Sequence, residues 1–345
     1  MTAPTRPVVF GGRAIARRLG RKGLPDWPIG EAWEVSDVEG AGAEVMDGPL
    51  AGRSLRSLVE DHPEELMGRG WRGAHFPVLT KFIDASGMLP VHLHADDETA
   101  RRLEGAANGK TEAWHVLHAA PGATALCGVR EGVDRERLHR ALLAQDFDSV
   151  MRRLPVRPGE TIYVPGGTLH SFGPDTLIYE IEQTSDVQQH AMRWRMEDGS
   201  PIDDEQWHAN LEALLEEWRP GARPDFGPGL RIGVDDGVER VFLCAGPHFA
   251  LERWRAGTAA PMRHAFSTAV VLSNVGTPVT VVCGEVTQEL GRAESLLLPA
   301  AVGRMEIAGP ADVLLGYLPD LDRDVREPLT AAGYGPESIA QLGEV

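Results

Sequence analysis

Cysteine is scarce in this 345-residue chain: Cys127, Cys244 and Cys283 are the only three, they lie far apart, and none belongs to a CxxC pair. That excludes a disulfide framework or a thiolate metal site and leaves each as a small core residue. Positive charge is also in short supply. Lys and Arg number 34 against 51 Asp and Glu, a formal net charge of −17, which opposes association with phosphate backbones or anionic lipid. Nucleic-acid and membrane partners are therefore not expected. Long apolar runs are missing as well. No segment approaches the roughly 18 residues of a membrane span, and the opening MTAPTRPVVFGGRAIARRLG lacks the apolar stretch of a secretory signal. A cytoplasmic location is the expectation.

What is plentiful is chain punctuation. The 39 Gly and 25 Pro are spread along the sequence, as turns between short strands require. Strand-like runs recur as EAWEVSDV (31–38), HFPVLTKFI (75–83), AWHVLHA (113–119), ETIYVP (160–165) and TLIYEIEQ (176–183). They show no alternation with helices, so the architecture is read as antiparallel β. Two helical blocks stand apart: DRERLHRALLAQDFDSVMRR at 134–153, read as an insert between strands, and DDEQWHANLEALLEEWR at 203–219, which places Trp207, Leu211, Leu214, Leu215 and Trp218 on one face. The basic cluster Arg13, Arg17, Arg18, Arg21 and Lys22 reads as a solvated helix face. PGARPDFGPG at 220–229 is the natural boundary in a chain whose length favours two domains. The halves also carry a weak repeat, with ETIYVPGGTLH (160–170) laid on ESLLLPAAVGR (294–304), Pro165 on Pro299 and His170 on Arg304.

Chemistry concentrates in two segments. In GMLPVHLHADDETARRLEG (87–105), His92 and His94 stand two apart, and in a strand that spacing projects both imidazoles from one face, as a metal requires of neighbouring ligands. In GETIYVPGGTLH (159–170), a Pro-Gly-Gly turn ends by presenting a third imidazole, His170. A carboxylate partner is contested between Glu98 and Glu112. His115 and His118 flank the same strand as Glu112. His115 is at odd spacing from Glu112 and should face away, and both read as packing or surface residues.

Together these segments resemble the two signature motifs of the cupin superfamily, G…HxHxxxE…G and GxxxxxPxGxxH. The resemblance implies a mainly β chain of two jelly-roll β-sandwich domains with a small helical insert. The expected divisions are a metal-bearing domain at 1–219 with its insert at about 134–153, a degenerate second cupin at 230–318, and a C-terminal tail at 319–345. GEAWEVSD (30–37), FPVLTKFIDA (76–85), HADDETA (94–100), GKTEAW (109–114), VPGGTLHSFG (164–173) and EIEQTSD (180–186) further resemble type I mannose-6-phosphate isomerases, in that family's order and at about its spacing. HFALERW (248–254) and SLLLPA (295–300) extend the likeness across most of the chain. The family's metal ligands then fall on His92, His94, Glu112 and His170, leaving Glu98 as a solvated residue, and Lys110 and Asp186 fall on its catalytic positions.

Three departures accompany the match. His92 stands where the family has Gln, Pro90 where it commonly has Ser, and His190 where its pattern has a catalytic Arg. The resemblance implies one divalent metal, Zn²⁺, although a set of three His and one Glu also suits Mn²⁺, Fe²⁺ or Ni²⁺. It further implies interconversion of mannose 6-phosphate and fructose 6-phosphate through a cis-enediol. His190 and Pro90 keep a related cupin metalloenzyme on an unphosphorylated sugar as an alternative. A non-catalytic sugar-binding or regulatory cupin is another. The small-molecule partner is a sugar or sugar phosphate in each reading, and the oligomeric state is left open.

Overall fold

Period-two alternation runs unbroken through TLIYEIEQ, and all eight residues form one strand, Thr176–Gln183, buried on both faces. Ile178, Glu180 and Glu182 point to one side, and Leu177, Tyr179 and Ile181 to the other. The structure is a computed structural model describing residues 1–234, 237–257 and 261–345. Its first eleven strands are β1 (Thr5–Arg6), β2 (Glu31–Val35), β3 (Val78–Ala85), β4 (His92–Leu93), β5 (Glu112–Ala119), β6 (Thr124–Val129), β7 (Met151–Pro155), β8 (Thr161–Val164), β9 (His170–Phe172), β10 (Thr176–Gln183) and β11 (Gln189–His190). They form two facing antiparallel sheets, ordered β1-β2-β3-β10-β5-β8 and β11-β4-β9-β6-β7. Trp114, Phe172, Ile178, Ile162 and Cys127 fill part of the space between them, each large side chain worth roughly 1.5–3 kcal/mol on burial.

The second half repeats the plan. Its strands are β12 (Leu230–Val234), β13 (Val238–Ala245), β14 (Ala250–Ala256), β15 (Met262–Ala265), β16 (Val270–Asn274), β17 (Val279–Cys283), β18 (Val286–Leu290), β19 (Ser295–Leu298), β20 (Arg304–Ala308) and β21 (Ala311–Tyr317). Their order, β12-β13-β14-β21-β16-β19 and β15-β20-β17-β18, matches the first half strand for strand, without a counterpart of β11 among the described residues. The architecture is a pair of cupin jelly rolls. His170 opens β9 and Arg304 opens β20, so the repeat in the sequence marks equivalent places in the two sheets.

Two segments differ from their sequence reading. The block at 134–153 is helical only over Arg135–Leu143 and Phe147–Ser149, after which Met151–Pro155 turns into an edge strand paired with β6. Gln145, at φ 54°, breaks the helix in the left-handed region. Residues 319–345 form short helices whose Val325, Leu329, Ile339 and Leu342 are buried in the second core.

The halves share one apolar cluster. Phe82, Tyr179 and Ile181 of the first pack with Leu251, Val271 and Leu314 of the second. Polar contacts tie the same surface: Tyr179 Oη lies 2.9 Å from Ser273 Oγ, His115 Nε2 lies 2.9 Å from Arg253 Nη1, and Tyr163 Oη donates to Glu344 at 3.0 Å.

Candidate metal centre

Strand register lines up the chemistry. In the smaller first-half sheet, His190, His92, His170 and Cys127 sit directly opposite one another across β11, β4, β9 and β6, and paired residues project to the same face. Across the gap, Trp33, Lys81, Glu180 and Trp114 form a second row on β2, β3, β10 and β5, with Glu182 opposite Glu112 one step along. Glycine shapes the turn that delivers His170. A Cβ on Gly166 would sit 2.7 Å from the Asp96 Cα, and one on Gly167, at φ 82°, 2.6 Å from the Arg219 Cβ.

Each imidazole is held by a backbone carbonyl. His92 Nδ1 lies 2.8 Å from Pro90 O, His94 Nδ1 2.9 Å from Val187 O, and His170 Nδ1 2.8 Å from Thr168 O. A carbonyl only accepts, so Nδ1 carries the proton in all three, and the Nε2 lone pairs are left to converge. They do: His92 Nε2 is 3.0 Å from His170 Nε2, while Glu112 places Oε1 3.1 Å from His170 Nε2 and Oε2 3.2 Å from His94 Nε2. Trp114 Nε1 donates to Glu112 Oε1 at 2.8 Å and fixes the carboxylate plane. Burial first, and then its neighbouring histidines, hold His92 well below the usual imidazole pKa, and burial and Lys110 bring His94 to about 3. Burial alone would raise Glu112, but His170, Lys110 and His94 bring it well below the carboxylate range.

These residues fit a divalent cation. Lone pairs 3.0 Å apart on two neutral imidazoles repel, and a cation between them removes the repulsion. Bonds of about 2.0–2.1 Å in a tetrahedral site separate neighbouring donors by about 3.3 Å, close to the spacings found. Charge points the same way. Glu31, Glu112, Glu180 and Glu182 are buried, and among the described residues the buried lysines set against them are Lys81 and Lys110. Burial and Glu182 consequently push Glu180 well above the usual carboxylate range.

A pocket opens beside this cluster, lined by Lys81, His92, Lys110, Glu112, Glu180 and Asp186 among others. Lys110 Nζ stands 3.3 Å from Glu112 Oε2 and 3.0 Å from Glu182 Oε2. Burial opposes its charge, but Glu182 and the neighbouring carboxylates hold its pKa above the ordinary lysine value. Lys81 is fixed by Glu182 at 2.9 Å, by Glu180 at 3.3 Å and by the face of Trp33, 4.5 Å from its centroid. Asp186 is exposed at the mouth. The His190 ring lies 5.8 Å from that of His92, and burial lowers its pKa. Lys81, Glu180 and Glu182 did not emerge from the sequence. Their signal was a pair of carboxylates two apart in an otherwise apolar strand, and a lysine amid VLT and FI.

The remaining candidates lie elsewhere. Glu98 is exposed. His115 is fully buried, between Thr161 and Arg253. His118 joins Arg13, Arg17 and Arg18 around a cavity also lined by Asp84 and Leu177, which point to the outer face of the sheet, away from Lys81 and Glu180. In the second half, the interior carries Glu252, which accepts from Arg240, Trp254 Nε1 and Tyr317 Oη. Among the described residues, the clustered His, Cys, Asp and Glu groups able to hold a metal are His92, His94 and His170, and Glu112, Glu180 and Glu182, all in the first half.

Fold and site together define a cupin with a metal centre beside a charged, partly enclosed pocket. No family model matches the chain. YvyI of Bacillus subtilis (strain 168), whose name marks it provisionally as a mannose-6-phosphate isomerase, is 31% identical over 327 residues, covering 92% of this chain and 98% of its own. The crystal structure of the mannose 6-phosphate isomerase from Bacillus subtilis superposes with a TM-score of 0.81 at 24% identity, over 91% of this chain and 98% of that one. A zinc-bound mannose 6-phosphate isomerase shares the fold at a TM-score of 0.68 and 14% identity, over 92% and 98% of the two chains. The chain belongs to the mannose-6-phosphate isomerase family.

Proposed function

We propose that this protein is a metal-dependent aldose–ketose isomerase that interconverts mannose 6-phosphate and fructose 6-phosphate, with His92, His94, Glu112 and His170 holding the metal. The observation that carries the reading is the convergence of three Nδ1-anchored imidazoles and one carboxylate beside two buried lysines. The nitrogen-rich donor set favours Zn²⁺ and accommodates Mn²⁺, Fe²⁺ or Ni²⁺. Bound there, the metal supplies Lewis-acid stabilisation of charge on the sugar oxygens.

The chain's own groups divide the remaining work. Isomerisation moves a proton from C2 of the open aldose to C1 through a cis-enediol, while a proton shifts between the two oxygens. Lys110 stays an ammonium, so it donates to a sugar oxygen rather than removing a carbon-bound proton. Glu180 lines the pocket beside Lys81, whose ammonium favours the ionised carboxylate, and burial and Glu182 raise its basicity, so it is the group placed to take and return the carbon-bound proton. Glu182, between Lys81 and Lys110, fixes both ammoniums. Asp186 stands at the mouth, where it contacts the distal part of the sugar, and His190 sits beside His92 in the facing sheet.

The test is kcat/KM of the metal-loaded wild type and His190→Arg on mannose and mannose 6-phosphate. The expected result is turnover of the phosphate, held or raised by Arg, whose fork stays charged where a neutral imidazole does not. Turnover confined to mannose, lowered by His190→Arg, would move the substrate to an unphosphorylated sugar.

A further inference from the structure

Behind the strand that carries His190, two carboxyls meet without a cation. Glu217 closes the helix Asp204–Glu217 and is 4% exposed. Glu104 closes the helical turn Ala100–Glu104. Gln189 Nε2 donates to Glu217 Oε1 at 2.9 Å and to Glu104 Oε1 at 3.2 Å. The second oxygens, Glu217 Oε2 and Glu104 Oε2, are both buried and have no hydrogen-bond partner. Other charged groups on these elements are directed elsewhere. Arg101 reaches Asp97, Glu212 and Glu216 turn to Arg135, and His92 and His94 face the metal cluster. Asp204 pairs with Arg193, and Glu98, Arg102, His190, Glu205, His208 and Arg219 complete the ionisable set of the elements packed here. Among the described residues, none forms an ion pair with either carboxyl.

Two ionised carboxylates in buried contact repel, and two orphaned acceptors each forfeit a hydrogen bond. One proton between them cures both defects. We infer that Glu104 and Glu217 share a proton, and that the resulting carboxyl pair is a positioning device, holding Gln189 and with it His190 against β4. Its role in turnover rests on the isomerase reading above. Burial and Glu104 raise the Glu217 pKa to about 8, so the proton is held through neutral pH. Above that the pair becomes two like charges gripping one amide.

Thermal unfolding and kcat/KM of the full-length, metal-loaded wild type, Glu217→Gln and Glu217→Ala between pH 6 and 9.5 test this. A glutamine amide donates to Glu104 Oε2 at any pH. The wild-type unfolding midpoint should therefore fall relative to Glu217→Gln as pH rises through 8, and Glu217→Ala should not restore it. Turnover should follow. With about a tenth of the pair still protonated one pH unit above its midpoint, wild-type kcat/KM should fall about tenfold more than that of Glu217→Gln. Parallel stability curves would overturn the shared proton. A stability difference that added Ca²⁺ abolishes in the wild type would make the pair a cation site instead. Matching activity profiles alongside divergent stability would overturn the positioning role. No turnover of any sugar by either protein would refute the isomerase reading and the positioning role with it, while the stability comparison still decides the proton.

Discussion

Replacing Lys110 by Met keeps most of the apolar stem and deletes the ammonium. Two carboxylates lose a partner, Glu112 at 3.3 Å and Glu182 at 3.0 Å. Breaking a buried pair costs about 3–5 kcal/mol when the remaining charge is uncompensated. Here Lys81 stays 2.9 Å from Glu182, and a metal held by Glu112 as proposed would offset its charge, so a loss of about 3 kcal/mol is expected by denaturant titration. The kinetic loss should be larger. A positioned proton donor contributes roughly 10²–10⁴ in rate, and a thousandfold fall corresponds to about 4 kcal/mol of barrier. Lys110 is not a ligand, so bound metal by elemental analysis should stay near one per chain. The assay is kcat and KM on mannose 6-phosphate at pH 7.5 alongside metal content. A kcat within threefold of wild type would remove Lys110 from the chemistry, and parallel loss of metal and activity would show that it acts through the ligand set.

Changing His94 or His170 to Ala deletes a converging Nε2, and elemental analysis should show bound metal falling well below one per chain. Metal-free protein should lose stability on acidification: His92 and His94 have pKa values below those of the unfolded chain, so the unfolded state binds more protons below about pH 6.5. Each such histidine then contributes up to about 1.4 kcal/mol per pH unit, until pH falls through the folded value, about 3 for His94. Denaturation midpoints of the chelated protein at pH 6.5 and 5 measure this, and His94→Gln should flatten the slope. Arg240→Ala strands the fully buried Glu252 in the second half and should cost about 3–5 kcal/mol of stability while leaving metal content unchanged.

The sequence displayed those features whose cause is local. His92 and His94 could be read because a strand's period of two fixes their common face, and His170 because the glycines before it permit the turn that presents it. The edge strand Met151–Pro155 was hidden, since its half-buried Arg152 and exposed Arg153 continue a helical pattern and only pairing with β6 makes it a strand. Lys81, Glu180 and Glu182 were hidden for a similar reason. Their roles come from cross-strand register between β3, β10 and β5, which no window of sequence contains. The helices after Tyr317 likewise owe their order to apolar contacts with a distant core.

Strand β5 bears the proposed ligand Glu112 and the interface on opposite faces. Glu112 and Trp114 look into the metal centre, and His115, one residue on, is clasped by Arg253 from the second half. The backbone between them is too short to flex independently, so the second barrel acts as a mechanical abutment: play at the Arg253 contact becomes play in the Glu112 carboxylate. Arg253→Ala, remote from any reacting atom, is therefore expected to weaken metal binding, as titration of the chelated protein with Zn²⁺ would measure. The first half of the chain, expressed alone, would carry the proposed ligands on an unbraced beam.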